Sequence, residues 1–283
     1  MFEAIKKGLG KVNLLVVVVR VLRAIRKHWR EAELELQQQM DRERALAVRE
    51  RVIDAYLESQ AVRKLQVGAG TNPLPGWLNT DYAPVSDEII FLDATEIFPF
   101  DDQVFDYVFS EHMIEHIPYK EGVFMLREAF RVLKPGGRLR LATPDVERIV
   151  SLLSPDKIEA KRRYLEWSAQ ESLGLYSPEK TRLQIHRPEW DLDHNLMRRT
   201  FPDPGSDSAC FVVNNFFYSY GHRFLYNAST LRSTMEEVGF VDVRRYQPGE
   251  SDDDHLRGIE SHQRLIGDEM NRYETMVVEA RRP

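Results

Sequence analysis

One cysteine stands in 283 residues. A single thiol excludes an internal disulfide framework, and a reduced, cytosolic setting is the simplest inference. Cys210 sits in the apolar run Ala209-Cys210-Phe211-Val212-Val213 and is expected to pack rather than react. The chain also lacks an apolar stretch of the ~20 residues that span a bilayer. Its strongly apolar run, Leu14 to Val19, is stopped by Arg20 and Arg23. No small-residue cleavage site follows, so a secretory leader is not expected. Internal repeats and low-complexity tracts are missing. So is an excess of positive charge: the net charge is −6, which does not suit a general nucleic-acid binder. What remains is a soluble composition, 42% hydrophobic, 30% charged and 10% aromatic, long enough for one large α/β domain with appendages.

The charge is unevenly placed. Residues 1–30 hold eight Lys and Arg against Glu3 alone, a net +7, so the remainder carries −13. Arg20, Arg23, Lys27 and Arg30 recur at three- and four-residue steps, which on a helix makes one basic stripe beside Val17, Val21, Leu22 and Ile25. Such a helix suits an anionic membrane surface, and equally a docked or dimer helix. Residues 31–60 contain no Gly or Pro and are rich in Glu, Gln, Arg, Ala and Leu. They predict a helix ending near Ser59, with Leu46, Ile53, Tyr56 and Leu57 as its packing face.

From residue 64 to 142, strands and short helices alternate, which predicts a parallel sheet with crossover helices. Lys64-Leu65-Gln66-Val67 is a short β-prone run, and Gly68-Ala69-Gly70 is a turn where backbone can approach a ligand. Asp81 ends the run Trp77-Leu78-Asn79-Thr80. Asp93-Ala94-Thr95 follows Ile89 to Leu92, and Phe105 to Phe109 leads into Ser110-Glu111-His112. Phe124 to Leu133 predicts an amphipathic helix closed by Lys134-Pro135-Gly136-Gly137, before a strand at Leu139 to Thr143. Residues 146–222 break the rhythm with many aromatics among charges, as an inserted cap would. A helix at Ser229–Val238 closed by Gly239, and strands at Val241–Tyr246 and Thr275–Ala280, resume it. Asn227-Ala228-Ser229 matches a glycosylation sequon but is expected to be a helix N-cap.

A dinucleotide site would need a third glycine opening a helix and an acid about 20 residues on. Here Pro73 and Pro75 follow the turn, and Asp81 lies only 11 residues past Gly70. The ordered series instead resembles a class I S-adenosylmethionine (SAM)-dependent methyltransferase. Residues 60–283, with Pro75-Gly76-Trp77-Leu78-Asn79 and Ser110 to His116, resemble a type 11-like group associated with glycan and polysaccharide pathways. The resemblance implies an α/β fold: a Rossmann-like, seven-stranded, mostly parallel sheet with helices on both faces. It also implies a methyltransferase domain over 61–283, a helical cap at 146–222 and a helical extension over 1–60. Gly68, Ala69 and Gly70 would pass the methionine and ribose of SAM. Asp81 would accept the ribose hydroxyls, Asp93 and Ala94 would stand beside the adenine, and Ser110 would line the sulfonium end. Gln66 stands where many relatives carry an acid. The implied acceptor is a sugar or glycan hydroxyl; a small-molecule or lipid-linked acceptor, or a non-catalytic SAM-binding scaffold, are the alternatives.

Methyl transfer often needs a proton removed from the acceptor. Ser110-Glu111-His112-Met113-Ile114-Glu115-His116 follows the fourth strand, and His112 would share one helix face with Glu115 and His116. His112 is the leading candidate base, with Glu115 as its catalytic neighbour and His222 as a second candidate. The same spacing leaves a divalent metal open at His112, Glu115 and His116, as in relatives with Glu-x-x-Glu-His here. The acidic runs Asp191-x-Asp193-His194 and Asp252-Asp253-Asp254-His255 are expected to be solvated surface. The partners expected are therefore an acceptor molecule, no nucleic acid, and a membrane or a second copy met through residues 1–30, in a cytoplasmic setting.

Overall fold

The computed structural model of the protein describes residues 14–156, 158–172 and 209–283. Residues 1–13, Asp191, Asp193 and His194 lie outside them, as does the middle of the expected cap. The chain divides into two compact units, residues 1–52 and 53–283. The first carries most of α1 (Leu14–Ser59), one helix of 46 residues. It is uninterrupted because no Gly or Pro falls within it. Val21, Leu22, Ile25, Trp29, Leu36 and Met40 are all exposed on it, Trp29 at 71%. No described helix is long and apolar enough to cross a membrane.

The second unit is built on β1 (Lys64–Val67), β2 (Leu78–Asp81), β3 (Ile89–Phe91), β4 (Phe105–Glu111), β5 (Leu133–Pro144), β6 (Val241–Tyr246) and β7 (Thr275–Arg281). They form one sheet in the order β3-β2-β1-β4-β5-β7-β6. β1 to β5 are parallel, and β7 runs antiparallel between β5 and β6. The reversal of order at β1–β4 leaves a crevice at the carboxyl ends of these strands, where open α/β sheets bind ligands. The seven-stranded, mostly parallel Rossmann-like sheet implied by the motifs is the one observed.

One face is covered by α2 (Tyr119–Val132) and α6 (Ala228–Val238). α2 buries Met125, Leu126, Ala129 and Val132 at helical spacing. It starts five residues before the expected Phe124, because Pro118 supplies the entry turn. Its end also differs from expectation. Leu133 is already extended, and Lys134-Pro135-Gly136-Gly137 lies within β5 beside a register shift against β4. Gly137 fits there because an added Cβ would meet Lys134 O and Asp106 O at 2.9 and 3.0 Å. Asn227 caps α6 as expected, accepting the Thr230 N–H at 2.8 Å.

The other face of β4 is covered by the loop 247–262. Tyr107 donates to Asp253 at 3.1 Å, and Phe109 packs with Trp77 and Leu256. Glu111 accepts the Ser261 and His262 N–H groups. Residues 107, 109 and 111 share one face of the strand, so the loop runs along β4 to its carboxyl end. Asp253 is therefore part of the packing rather than solvated surface, whereas Asp252 and Asp254 are exposed as expected. Arg140, opposite Phe109 in the ladder, is fully buried and pairs with Glu260 on this loop and Glu279 on β7.

After β5 come α3 (Val146–Ser151), α4 (Glu159–Trp167), a π-type turn at Ser168–Ser172 and α5 (Ala209–Tyr218). Ile149, Tyr164, Leu165, Ala209, Val212 and Phe216 form a core of their own. Cys210 does not join it: it is exposed, because Ala209 and Val213 take the inward face of α5. α7 (Gln263–Ile266) and α8 (Asp268–Glu274) connect the loop to β7.

Candidate active site

The first half of the site is the glycine turn after β1. The Gly68 and Ala69 N–H groups both donate to Thr80 O at 2.9 Å, tying the end of β1 to β2. Gly68 has φ +77°, and a Cβ there would meet Met113 Cγ at 2.5 Å. Gly70, at φ +53°, faces open space. Both lie in the left-handed region that favours glycine, and at Gly68 a Cβ is excluded on steric grounds too. Asp81 reaches back to this turn: Oδ2 accepts the Gly70 N–H and Oδ1 the Ala83 N–H, both at 2.8 Å. Asp93 accepts from Thr95 N–H and Oγ1, shaping the turn after β3 in which Ala94 lies. Gln66 is buried and braces the 72–74 loop, donating to Asn72 O and accepting the Leu74 N–H. Ser110 is buried, and its Oγ has no hydrogen-bond partner among the described residues.

The second half is a cavity of about 510 Å³ lined by His112, Glu115, His116, His222, His262 and Glu274. Tyr164, Trp167, Phe216 and Tyr220 form its aromatic wall. The structure thus brings His112, Glu115, His116 and His222 to one place. It also adds His262 and Glu274, which sequence reasoning missed.

His112 does not begin a helix with Glu115 and His116. It has φ +48°, and only Ile114–His116 form a short 3-10 turn. The effect is to split the trio. His112 Nδ1 donates to Glu115 Oε1 at 3.1 Å, while His116 stands by His222, ring centroids 5.1 Å apart. Glu115 is fully buried, and its Oε2 accepts from Thr143 Oγ1 at 2.9 Å. Thr275 Oγ1 donates to Asn271 Oδ1, so it can only accept from His112 Nε2, 3.2 Å away. Both His112 nitrogens therefore act as donors, which is the imidazolium pattern. Burial opposes this charge, but the hydrogen bond and charge of Glu115, with Glu274 and Glu111 beyond, raise the His112 pKa. For Glu115, burial is likewise outweighed by His112 and its pKa is lowered. A histidine held in this way orients its neighbours better than it accepts a proton.

His222 differs. Nδ1 donates to Phe216 O at 2.6 Å, and burial lowers its pKa, favouring the neutral ring. His262 Nε2 lies 3.1 Å from Glu274 Oε1, and Glu274 also accepts from Tyr164. The His262 ring lies on that of His112, centroids 3.8 Å apart. Ligand atoms of Glu115, His116 and His222 gather within 4.8 Å of one another, as do those of His112, His262 and Glu274. Protein partners already hold His112, Glu115, His262 and Glu274, so these groups read first as a hydrogen-bond network.

The sheet order, the glycine turn and the acids after β2 and β3 agree with a comparison against known families: residues 65–141 match the family described as "Methyltransferase domain". The match takes in less than half of this chain. The 27-O-demethylrifamycin SV methyltransferase of Amycolatopsis mediterranei (strain S699) is 32% identical over 130 residues, covering 38% of this chain. The match takes in 43% of that relative, less than half of its length. Among solved structures, a possible histamine N-methyltransferase from Thermotoga maritima aligns with a TM-score of 0.40 at 13% identity, over 81% of this chain and 88% of that one. A SAM-dependent methyltransferase from Archaeoglobus fulgidus aligns at 0.40 and 14%, over 87% and 94%. Gly68, Ala69, Gly70, Asp81, Asp93, Ala94, Ser110, His112, Glu115 and His116 all fall inside the matched segment. His222, His262 and Glu274 fall outside it. No sequence signal singled out His262 or Glu274; the loop that delivers His262 is recognisable only through its contacts with β4, and Glu274 ends α8.

Proposed function

We propose that the protein is a SAM-dependent methyltransferase that methylates a hydroxyl group of a small acceptor. The observation that carries this is the pairing of two features at one sheet edge. One is the Gly68–Gly70 turn with Asp81 beneath it. The other is a histidine-lined cavity at the end of β4.

The residues present fit SAM. The space beside Gly70 is open, and Ser110 Oγ is a buried polar atom with no partner among the described residues. Asp81 is an acceptor-only group, and each oxygen takes one N–H while keeping a second lone pair for a ribose hydroxyl. Asp93 and Ala94 are assigned to the adenine end. When bound, SAM supplies an electrophilic methyl group. The chain's own residues would hold the acceptor against Tyr164, Trp167, Phe216 and Tyr220, exclude water, and receive the acceptor's proton at a histidine. The trio His112, Glu115 and His116 is split, so the second reading, a divalent ion, falls to Glu115, His116 and His222, whose ligand atoms lie within 4.8 Å of one another.

Aromatic walls with polar rims suit the face and edge of a sugar, and a glycan or other sugar is the acceptor we favour. The rifamycin-methylating relative supports a bulky polycyclic acceptor as the second reading. For residues 1–30 we propose contact with an anionic membrane: an exposed apolar stripe lies beside Arg23, Arg26, Lys27 and Arg30. Calorimetry with SAM and S-adenosylhomocysteine tests the cofactor assignment. Heat with both and none with NAD is expected; the reverse overturns it.

A further inference from the structure

The cavity holds two histidines with one nitrogen uncommitted, and their surroundings prepare them for different work. His222 gives its Nδ1 proton to a backbone carbonyl, which cannot balance a positive ring. His262 faces a buried carboxylate. With Nε2–H donated to Glu274, the lone pair sits on Nδ1, which has no partner among the described residues. The second oxygen of Glu274 is occupied by the Tyr164 hydroxyl, so this carboxylate is fixed in place from two sides.

The approach of His262 is equally determined. The Glu111 carboxylate accepts the Ser261 N–H on both oxygens, the Ser261 hydroxyl on Oε2 and the His262 N–H on Oε1. These pin the peptide from which the His262 ring projects. The ring is then sandwiched from one side by His112, itself immobilised by Glu115 and Thr275. The charged and titratable groups around His262 are Glu111 and His112 from the end of β4, Glu115 behind them, Glu274 from α8 and Tyr164 from α4. Glu274, hydrogen-bonded to Nε2, compensates a proton arriving on the ring against the His112 imidazolium stacked on it.

We propose that His262 Nδ1 is the general base of the methyl transfer, with Glu274, Glu111 and His112 as positioning residues. This rests on the methyltransferase reading above and supplies the base that its hydroxyl nucleophile needs, since such a group must lose a proton. As the acceptor oxygen bonds to the methyl carbon, the sulfur–methyl bond breaks and S-adenosylhomocysteine leaves. The hydroxyl proton passes to His262 Nδ1, giving an imidazolium held by Glu274, which returns the proton to water.

The test uses the full chain. Ring-nitrogen NMR on histidine-labelled protein with saturating S-adenosylhomocysteine should show neutral His262 as the Nε2–H tautomer, assigned by its loss in His262→Gln. Glu274→Leu should abolish that preference. An Nδ1–H tautomer in the wild type, or a preference unchanged in Glu274→Leu, overturns the proposal. Calorimetry on the same samples separates the two readings: S-adenosylhomocysteine binding retained with the wrong tautomer sinks the base and spares the methyltransferase. With a panel of methyl glycosides, phenols and 27-O-demethylrifamycin SV as acceptors, His262→Gln should lose about 10²–10⁴-fold in rate and the acid limb of its pH profile. Retention of both on an alkyl hydroxyl would also refute it. If no member of the panel is turned over, the tautomer decides.

Discussion

The two halves of the site are built in opposite ways. On the β1–β3 side, partners are near in sequence: Asp81 holds Gly70 eleven residues away, and Asp93 holds Thr95 two residues away. On the histidine side, Glu111 holds Ser261 across 150 residues, His112 meets Thr275 across 163, and Tyr164 meets Glu274 across 110. The first half is a local turn that few other arrangements could make. The second is a convergence of β4, α4, the loop 247–262 and α8, and each element alone says nothing of it.

The largest expected effect is on the histidine side. Arg140 is fully buried and sits between Glu260 and Glu279. Arg140→Ala strands two buried carboxylates and should cost about 3–5 kcal/mol in chemical denaturation. Burial already pushes the Glu260 pKa up against the pull of Arg140, so without the arginine it should fold protonated. If the loss is below about 1 kcal/mol, the loop 247–262 is held by something other than this pair.

Asp81→Ala acts on the other half. It should weaken SAM binding by roughly 1–3 kcal/mol, as for a buried hydrogen-bond partner removed, and leave the His262 tautomer unchanged. A tautomer that moved with Asp81→Ala would mean that the halves are coupled rather than separately held.

A third expectation follows from the His112–Glu115 pair. The His112 pKa is raised above 6.5, so its contribution to stability is complete below that unfolded value and is lost as pH rises through the folded one. The Glu115 pKa is lowered below 4.5, so its contribution is present above 4.5 and lost as pH falls through the folded value. Thermal unfolding across pH 4–9 should show a decline on the alkaline side in the wild type that His112→Gln removes. An unchanged alkaline limb would dissociate His112 from Glu115.

The smallest effect on the site is expected from deleting residues 1–30. SAM binding should be preserved, and flotation with anionic vesicles at low salt should be lost, each Lys or Arg near the surface contributing about 1 kcal/mol. A full chain that ignores such vesicles would refute the membrane reading and favour a helix paired with a second copy.

The contrast between the halves also explains what could be read in the sequence. Strand positions, the helix ending at Ser59 and the Asn227 cap followed from periodicity and end signals, because these depend on neighbours in the chain. The Gly68–Gly70 turn and Asp81 were legible for the same reason. His112 was found by its place after β4, but its two donor bonds were not, since Thr275 arrives from the far end of the fold. His262 lies between a polar run and a short helix, with nothing periodic around it. Arg140 alternates with Leu139 and Leu141 along the chain, and only the β7 register shows why a charge is tolerated there. Cys210 misled because its flanking residues are apolar although its own face of α5 looks outward.

The position of β7 has a consequence for how the molecule comes together. β6 reaches the sheet only through β7, which inserts antiparallel between it and β5. Everything around Gly70 and Asp81 can pair once the chain has been made as far as β5. Thr275, Glu274 and Glu279 enter with the final strand, and loop 247–262 has no buried partner for Glu260 until Arg140 is sandwiched. Long-range pairings of this kind close late, because chain entropy is lost before contacts repay it. During synthesis the cofactor half should thus take shape first, and proton-transfer machinery would exist only after the last strand had docked.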